Sequence, residues 1–318
     1  MTNQDRYRMV GGRLLQAVPV VFIATLLIFG LLQLIPGDPA IALAGDNPSA
    51  KRIEEIRELL GLNRGFFERY FLWLGHILQG DFSRSILTGE TIGTLLARAF
   101  PNTLLLVAVS VTISVVIGIP LGVLAATRVG TIWDDIVRMI GGFGVAVPNF
   151  WIAMVLVSIF AMEFQIFPVA GVELFTADPL GAIWHVMLPA IGLAFAGVSN
   201  VLAQTRSALL EVLGSQYIRT LRAKGLRRSL ILWQHALKNV GVNLITVIGL
   251  LINRTLGATV IVESIFAIPG IGSLISQSAL SKDFPVIQAV VLILVLAVIA
   301  VNLIVDVLST LIDPRIQQ

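Results

Sequence analysis

The sequence predicts an all-α membrane protein that crosses a bilayer six times, and three observations carry that prediction. Its 318 residues are 56% hydrophobic and only 13% charged, with a mean hydropathy of +0.90, so the charge needed to clothe a soluble fold of this length is missing. A spanning helix needs about 20 mostly apolar residues. Six runs qualify: Leu14–Ile35, Pro101–Thr127, Met139–Met162, Val186–Thr205, Val240–Val262 and Val286–Val305. Finally, basic residues gather in alternate loops. With the N-terminus inside, the cytoplasmic segments hold Arg6, Arg8, Arg13, Arg128, Arg138, the seven basic residues from Arg206 to Lys238, and Arg315. The short outer loops then hold only Lys282, so both termini are expected in the cytoplasm.

The first run follows three arginines and precedes Ala42-Leu43-Ala44, which resembles a cleavage site; its uncharged length favours an uncleaved anchor over a signal peptide. The one long outer segment is Pro36–Ala99. Within it Asn47-Pro48 reads as a helix start and Gly61 as the stop, with Ile53, Ile56, Leu59 and Leu60 on one face. A second amphipathic pattern follows at Phe66, Phe67, Tyr70, Phe71, Leu74, Ile77 and Leu78, expected to pack on the outer ends of the bundle. Gly118-Ile119-Pro120 marks a bend in the second span, and Gly141-Gly142 with Pro148 a bend in the third. The expected organisation is a first helix (1–35), an outer helical insertion (36–99) and a five-helix core (100–318) that carries a cytoplasmic loop at 206–239.

Several chemistries are excluded. The chain has no cysteine, hence no disulfide, thiolate metal site or cysteine nucleophile. Its histidines, His76, His185 and His235, form no ligand-spaced pair and read as hydrogen-bonded structural residues. No phosphate-cradling loop and no hydrolase or metalloprotease motif occurs, so catalytic, cofactor and metal residues are expected to be absent. The net charge of +3 does not point to nucleic acid, because the positive excess is confined to particular loops. Asp134-Asp135 stands at a helix start, where acids complement the helix dipole, and that local role suffices for it. At membrane depth Arg254 is the one clear ionisable residue, with Glu263 nearer the outer end. So few intramembrane acids argue against a self-contained ion-coupled transporter or channel, and the lack of a nucleophile–base pair argues against an intramembrane enzyme.

The stretch Tyr217–Lys238 holds six basic residues, no acidic one, and a helix-breaking Gly225. Tyr217 to Lys224 is long enough for two helical turns, and Leu230, Ile231, Trp233 and Leu237 resume an apolar stripe toward the fifth span. Such a loop either fixes topology against lipid headgroups or docks a partner; composition leaves both open.

The residues Tyr217-Ile218-Arg219-Thr220-Leu221-Arg222-Ala223-Lys224-Gly225-Leu226, followed by His235-Ala236-Leu237-Lys238-Asn239, resemble the coupling loop of inner-membrane permease subunits of bacterial ABC importers, in the dipeptide/oligopeptide/nickel group. Gln216 and Leu221 depart from that group's usual aspartate and alanine. Ile35-Pro36-Gly37-Asp38-Pro39, Gln79-Gly80-Asp81-Phe82 with Ser85, Pro148-Asn149-Phe150-Trp151, Glu263-Ser264-Ile265-Phe266 with Pro269-Gly270-Ile271-Gly272, and Asp313-Pro314-Arg315 are similar to the group in order and spacing. Ser83 stands where a glycine is more usual. The resemblance implies a type I importer permease fold without its own motor. Its implied partners are a second homologous permease, two ATPase subunits that bind ATP and magnesium, an extracytoplasmic binding protein, and membrane lipid. Tyr217, Arg219, Arg222, Ala223, Lys224 and Gly225 are then the expected ATPase-coupling residues, and Asn149, Phe150 and Arg254 the expected pathway residues. Peptides are the commonest cargo of the group; nickel, glutathione, opines and oligosaccharides pass through near relatives.

Overall fold

The computed structural model describes residues 3–33, 40–41, 49–59, 61–169, 171, 175 and 178–312. Among them the regular structure is helical, apart from one isolated bridge between Arg84 and Thr91. In chain order the helices are α1 (Asn3–Gln33), α2 (Ala50–Leu59), α3 (Phe66–Leu78), α4 (Ile92–Thr127), α5 (Ile132–Ala146), α6 (Asn149–Glu163), α7 (Pro179–Gly214), α8 (Gln216–Ala223), α9 (Arg228–Ile265), α10 (Ile271–Ser281) and α11 (Phe284–Ile312). Four of them, α4, α7, α9 and α11, are long and apolar enough to cross a membrane. The apolar stretch described in α1, Leu15–Gly30, is shorter than a full crossing.

The third predicted run differs most from its expectation. It is two helices, α5 and α6, that meet at 97°. The cause is Pro148, which has no N–H to donate and forces its predecessor out of the helical region. Val147 accordingly sits at φ −97°, ψ 131°, and α6 restarts with the amides of Trp151 and Ile152 on the Pro148 carbonyl. The fourth run begins earlier than its apolar stretch, at Pro179, because Asp178 caps it: the carboxylate accepts from the amides of Leu180 (3.1 Å) and Gly181 (3.0 Å).

The chain forms two compact units. One is built on Thr103–Ile268 and the end of α11, the other on Tyr7–Asn102 and Pro269–Ile299. At the centre of the first unit lies α7, which packs on α5, α6 and α9. Small residues permit the close approach. A Cβ added at Gly192 would lie 2.7 Å from the Cβ of Ala153, and one at Gly122 would lie 2.6 Å from the Cβ of Thr205. Leu106, Val186, Leu188, Leu193, Val262 and Phe266 fill the adjoining core.

The second unit contains the segment that the sequence leads one to expect on the outer side. Gly61 ends α2 as expected: at φ +61° its amide donates to Glu58 O, and Leu62 N donates to Arg57 O. The predicted start at Asn47-Pro48, and the side chains of Ile56, Leu59 and Leu60, lie outside the described residues. On α3 the predicted apolar face divides. Tyr70 is fully buried, hydrogen-bonded through its hydroxyl to Thr25 Oγ1 (2.9 Å) and ringed edge-on by Phe22 and Phe29, whereas Phe67, Phe71 and Leu78 are exposed. At Ser83, φ is +66°, the left-handed conformation that glycine adopts without strain; Asp81 Oδ1 accepts the Ser83 amide at 2.8 Å and helps hold it there. Ser85 donates to Asp283 Oδ2 at 2.5 Å, tying this turn to the start of α11.

Candidate functional site

The basic loop folds as a capped two-turn helix. Ser215, extended at φ −68°, ψ 155°, starts α8 by accepting the Ile218 amide on its Oγ. At the other end Gly225, at φ +79°, donates to Arg222 O (3.0 Å), and Leu226 N donates to Leu221 O (3.3 Å). That pair of bonds terminates the helix and requires the left-handed residue that only glycine supplies cheaply. Ile218 is fully buried in a cluster with Leu209, Ile231, Ala236 and Val240, and Leu221 and Leu226 pack on the same cluster. Burying Ile218 alone contributes about 2 kcal/mol, so α8 is anchored by one face. Tyr217, Arg219, Arg222, Ala223, Lys224 and Gly225 are all exposed. A short helix fixed from beneath thus presents cations, a small residue and one aromatic ring outward.

Two contacts join α8 to its neighbours. The Tyr217 hydroxyl bonds His235 Nδ1 at 2.8 Å, and Arg222 Nη2 donates to Leu213 O at 3.5 Å near the end of α7. His235 is therefore a hydrogen-bonded structural histidine, as is His185, whose Nδ1 meets Gly181 O at 2.9 Å. Ile231 continues the buried stripe into α9, but Trp233 is 66% exposed and Leu230 is exposed beside it.

The role expected for Asp134 is incomplete, and the structure corrects it. Besides standing in the first turn of α5, Asp134 is 2% exposed and takes a two-pronged bond from Arg206: Nε to Oδ1 at 2.7 Å and Nη2 to Oδ2 at 2.9 Å. The Gly130 amide adds a third bond at 3.3 Å. The helix dipole alone could not offset burying a carboxylate; a planar, bidentate guanidinium can. Arg206 lies about two turns before α7 ends and α8 begins. The pair therefore clamps α5 to the segment that leads into the exposed loop. The sequence held a signal for the burial of Asp134, though not for its partner: Asp134 shares a helical face with Val137, Gly141 and Gly144, all buried.

The expected pathway residues are not brought into one place. Asn149 and Phe150 stand in the first turn of α6, half-buried and 39% exposed respectively. Arg254 is exposed on α9 and donates through Nη1 to Asn200 Oδ1 of α7 at 3.5 Å. The small cleft around it is lined by α7 and α9 only: Asn200, Gln204, Val247, Leu250, Leu251 and Arg254. An arginine facing hydrocarbon at mid-bilayer costs about 2.5–3.5 kcal/mol, so this one must face water or a partner.

No cluster of three metal-binding side chains occurs among the described residues. Long apolar helices and an exposed basic helix–glycine–helix between two of them define a polytopic membrane component. The comparisons agree. Residues 118–318 match the family model described as binding-protein-dependent transport system inner membrane component, and residues 6–107 match its N-terminal companion. The chain belongs to this family of inner-membrane transport components, and is a multi-pass protein of the bacterial inner membrane. It is 38% identical over 305 residues to a putative peptide transport system permease protein of Brucella abortus, covering 96% of this chain and 97% of the relative. It is 38% identical over 308 residues to the oligopeptide transport system permease protein AppB of Bacillus subtilis, covering 96% and 98%. With the glutathione transport system permease protein GsiC of Escherichia coli it shares 34% over 307 residues, covering 96% and 97%. In fold it is similar to a chain of the inward-facing MetNI methionine ABC transporter, with TM-score 0.57 at 20% identity over 69% of this chain and 96% of that one.

Proposed function

We propose that the protein forms half of the translocation pathway of an ATP-driven importer of peptides. A second, homologous permease forms the other half, two ATPase subunits bind ATP and magnesium and clamp the cytoplasmic loops, and an extracytoplasmic binding protein delivers cargo. The chain crosses the membrane six times with both termini inside, α1 and the bent α5–α6 pair supplying the first and third crossings, and residues 36–99 form the outer insertion. In this reading α8 is the coupling helix. ATP binding closes the ATPase dimer and draws the coupling helices together; because α8 is anchored between α7 and α9, both long helices move with it. The two access states then differ in free energy by what ATP supplies.

The observation that carries this reading is α8 itself: capped at both ends, buried through Ile218, and exposing each of the six residues that match the coupling loop. Peptide cargo is supported by relatives named for peptide transport along nearly the whole chain. The relative named for glutathione transport keeps other peptide-like cargo open, with the binding protein as the selector. Purification of the intact complex tests the assignment. Two ATPase chains should arrive with this protein, and vanadate should block peptide uptake; uptake driven by an ion gradient without any ATPase would replace it with a secondary transporter.

A further inference from the structure

Between Val240 and Ser264 the exposed residues of α9 fall on one stripe: Asn243, Thr246, Leu250, Arg254, Gly257, Ile261 and Ser264. They recur at helical spacing, and most are polar or lack a large side chain. On α11 the exposed residues are Leu296, Ala300, Asn302, Ile304, Leu308 and Leu311, all but one of them apolar, as a mostly lipid-facing surface requires. The α9 stripe instead resembles the wall of a water-filled path. The matching face of α7 carries Asn200, Gln204, Ser207 and Glu211, and the two faces meet where Arg254 reaches Asn200.

From this meeting point we infer that Asn200, Gln204 and Arg254 form a subsite that holds the carboxylate terminus of a peptide in transit; the inference rests on the peptide-importer reading. Among the described residues Arg254 gives one hydrogen bond, and that at 3.5 Å, while a guanidinium carries five N–H donors in a planar fork that matches a carboxylate. Asn200 positions the fork. Its Nδ2 is fixed on Ala196 O at 2.8 Å, which turns Oδ1 toward Arg254. Gln204 is exposed beside them and offers an amide N–H₂. The cleft measures about 70 Å³, well above the ~10–15 Å³ that one water needs, so waters or a carboxylate in their place fit. Its apolar walls, Val247, Leu250 and Leu251, lower the local dielectric and strengthen an ionic contact. The acids on the same two helices stand off: Glu211 is about 10 Å along α7 from Gln204, and Glu263 more than two turns along α9 from Arg254. Every linear peptide with a free terminus carries this carboxylate whatever its side chains, so one loosely held arginine serves a varied cargo and still lets go.

Equilibrium binding of a radiolabelled peptide to the purified complex in nanodiscs, without the binding protein, tests the subsite. The wild type should bind the free-carboxylate peptide at least tenfold more tightly than its C-terminal amide, and Arg254→Gln should abolish that preference. Arg254→Lys should keep part of it. Asn200→Asp, which places a competing carboxylate beside the guanidinium, should weaken binding of the free peptide at least tenfold; it serves also if Arg254→Gln fails to assemble. Equal affinity of the wild type for peptide and amide overturns the subsite, as does equal loss of both ligands in Arg254→Gln, the result expected if the arginine pairs with a partner subunit. ATP-driven, binding-protein-dependent uptake by the same wild-type preparation is measured alongside. Its absence sinks the importer reading, whereas uptake without carboxylate preference sinks the subsite alone.

Discussion

Two arginines meet α7 in opposite ways. Arg206, on α7 itself, is answered by a buried carboxylate through two bonds of 2.7 and 2.9 Å; Arg254, on α9, is answered by a single amide oxygen at 3.5 Å. The first closes its own electrostatics and becomes a strut between α5 and α7. Among the described residues the second leaves most of its donors uncommitted, in a cleft between α7 and α9. The difference teaches where this protein is stiff and where it is open. Near α8 charge is locked, as the proposed coupling role requires if a push on α8 is to reach the long helices. Between α7 and α9 charge is left less matched, as the proposed subsite requires.

The largest effect is expected at the stiff end. Gly225→Pro cannot adopt φ +79° and loses the amide that donates to Arg222 O, so the end of α8 must rearrange. Uptake should be abolished while the membrane complex still assembles. Ala223→Trp, which puts bulk on the exposed face, should act likewise by blocking approach of the ATPase. Uptake assays and substrate-stimulated ATPase measurements on the purified variants check both; normal values would remove α8 from the coupling path.

Next comes the strut. Asp134→Asn leaves Arg206 without its countercharge and should destabilise the complex clearly more than a surface substitution does. Thermal unfolding of the complex reads this. The exchange Asp134→Arg with Arg206→Asp should recover part of the loss. A shift in Asp134→Asn no larger than a surface substitution gives would make the pair an ornament of the helix dipole after all.

The comparison sharpens further with two glycines. Gly192→Ala drives a methyl to 2.7 Å from the Cβ of Ala153 and 2.9 Å from its Cα, and overpacking of this kind costs about 1–3 kcal/mol. Gly257→Ala, on the open stripe of α9, meets nothing within 4 Å and should change stability little. Equal destabilisation by the two would mean that the stripe is packed against a partner and is not open to water.

What the sequence disclosed follows from how local each cause is. The helix α8 and its stop were legible, because Gly225 and the flanking apolar residues act within one short stretch. So were four of the six expected spans, α4, α7, α9 and α11, since uninterrupted apolar length is a local cause. The break in the third run was legible as a bend at Pro148, though not as a 97° corner, which depends on how α6 packs against α7. The Asp134–Arg206 clamp and the Arg254–Asn200 contact join residues far apart in the chain, and no local pattern pairs a particular acid or amide with a particular arginine. On α3, aromatic residues at helical spacing gave the helix but not its buried side, because Tyr70 was chosen over Phe71 by the Thr25 hydroxyl that its own hydroxyl can reach.

The smallest effect is expected where α8 touches α9. Tyr217→Phe removes the hydroxyl that bonds His235 Nδ1 at 2.8 Å but keeps the ring, which stands edge-on to the imidazole with centroids 6.0 Å apart. Tyr217 is 48% exposed, so water can replace the lost partner on His235 and no buried group is orphaned. The change should therefore cost at most about 1 kcal/mol, and Ile218 and the two caps should still hold the helix. Uptake should fall only modestly in proteoliposomes, and Tyr217→Ala, which also removes the ring from the exposed face, should lower it more. A loss in Tyr217→Phe as complete as in Gly225→Pro would mean that the hydroxyl, and with it His235, transmits the stroke to α9, and the stiff region would then extend past α8 into the next helix.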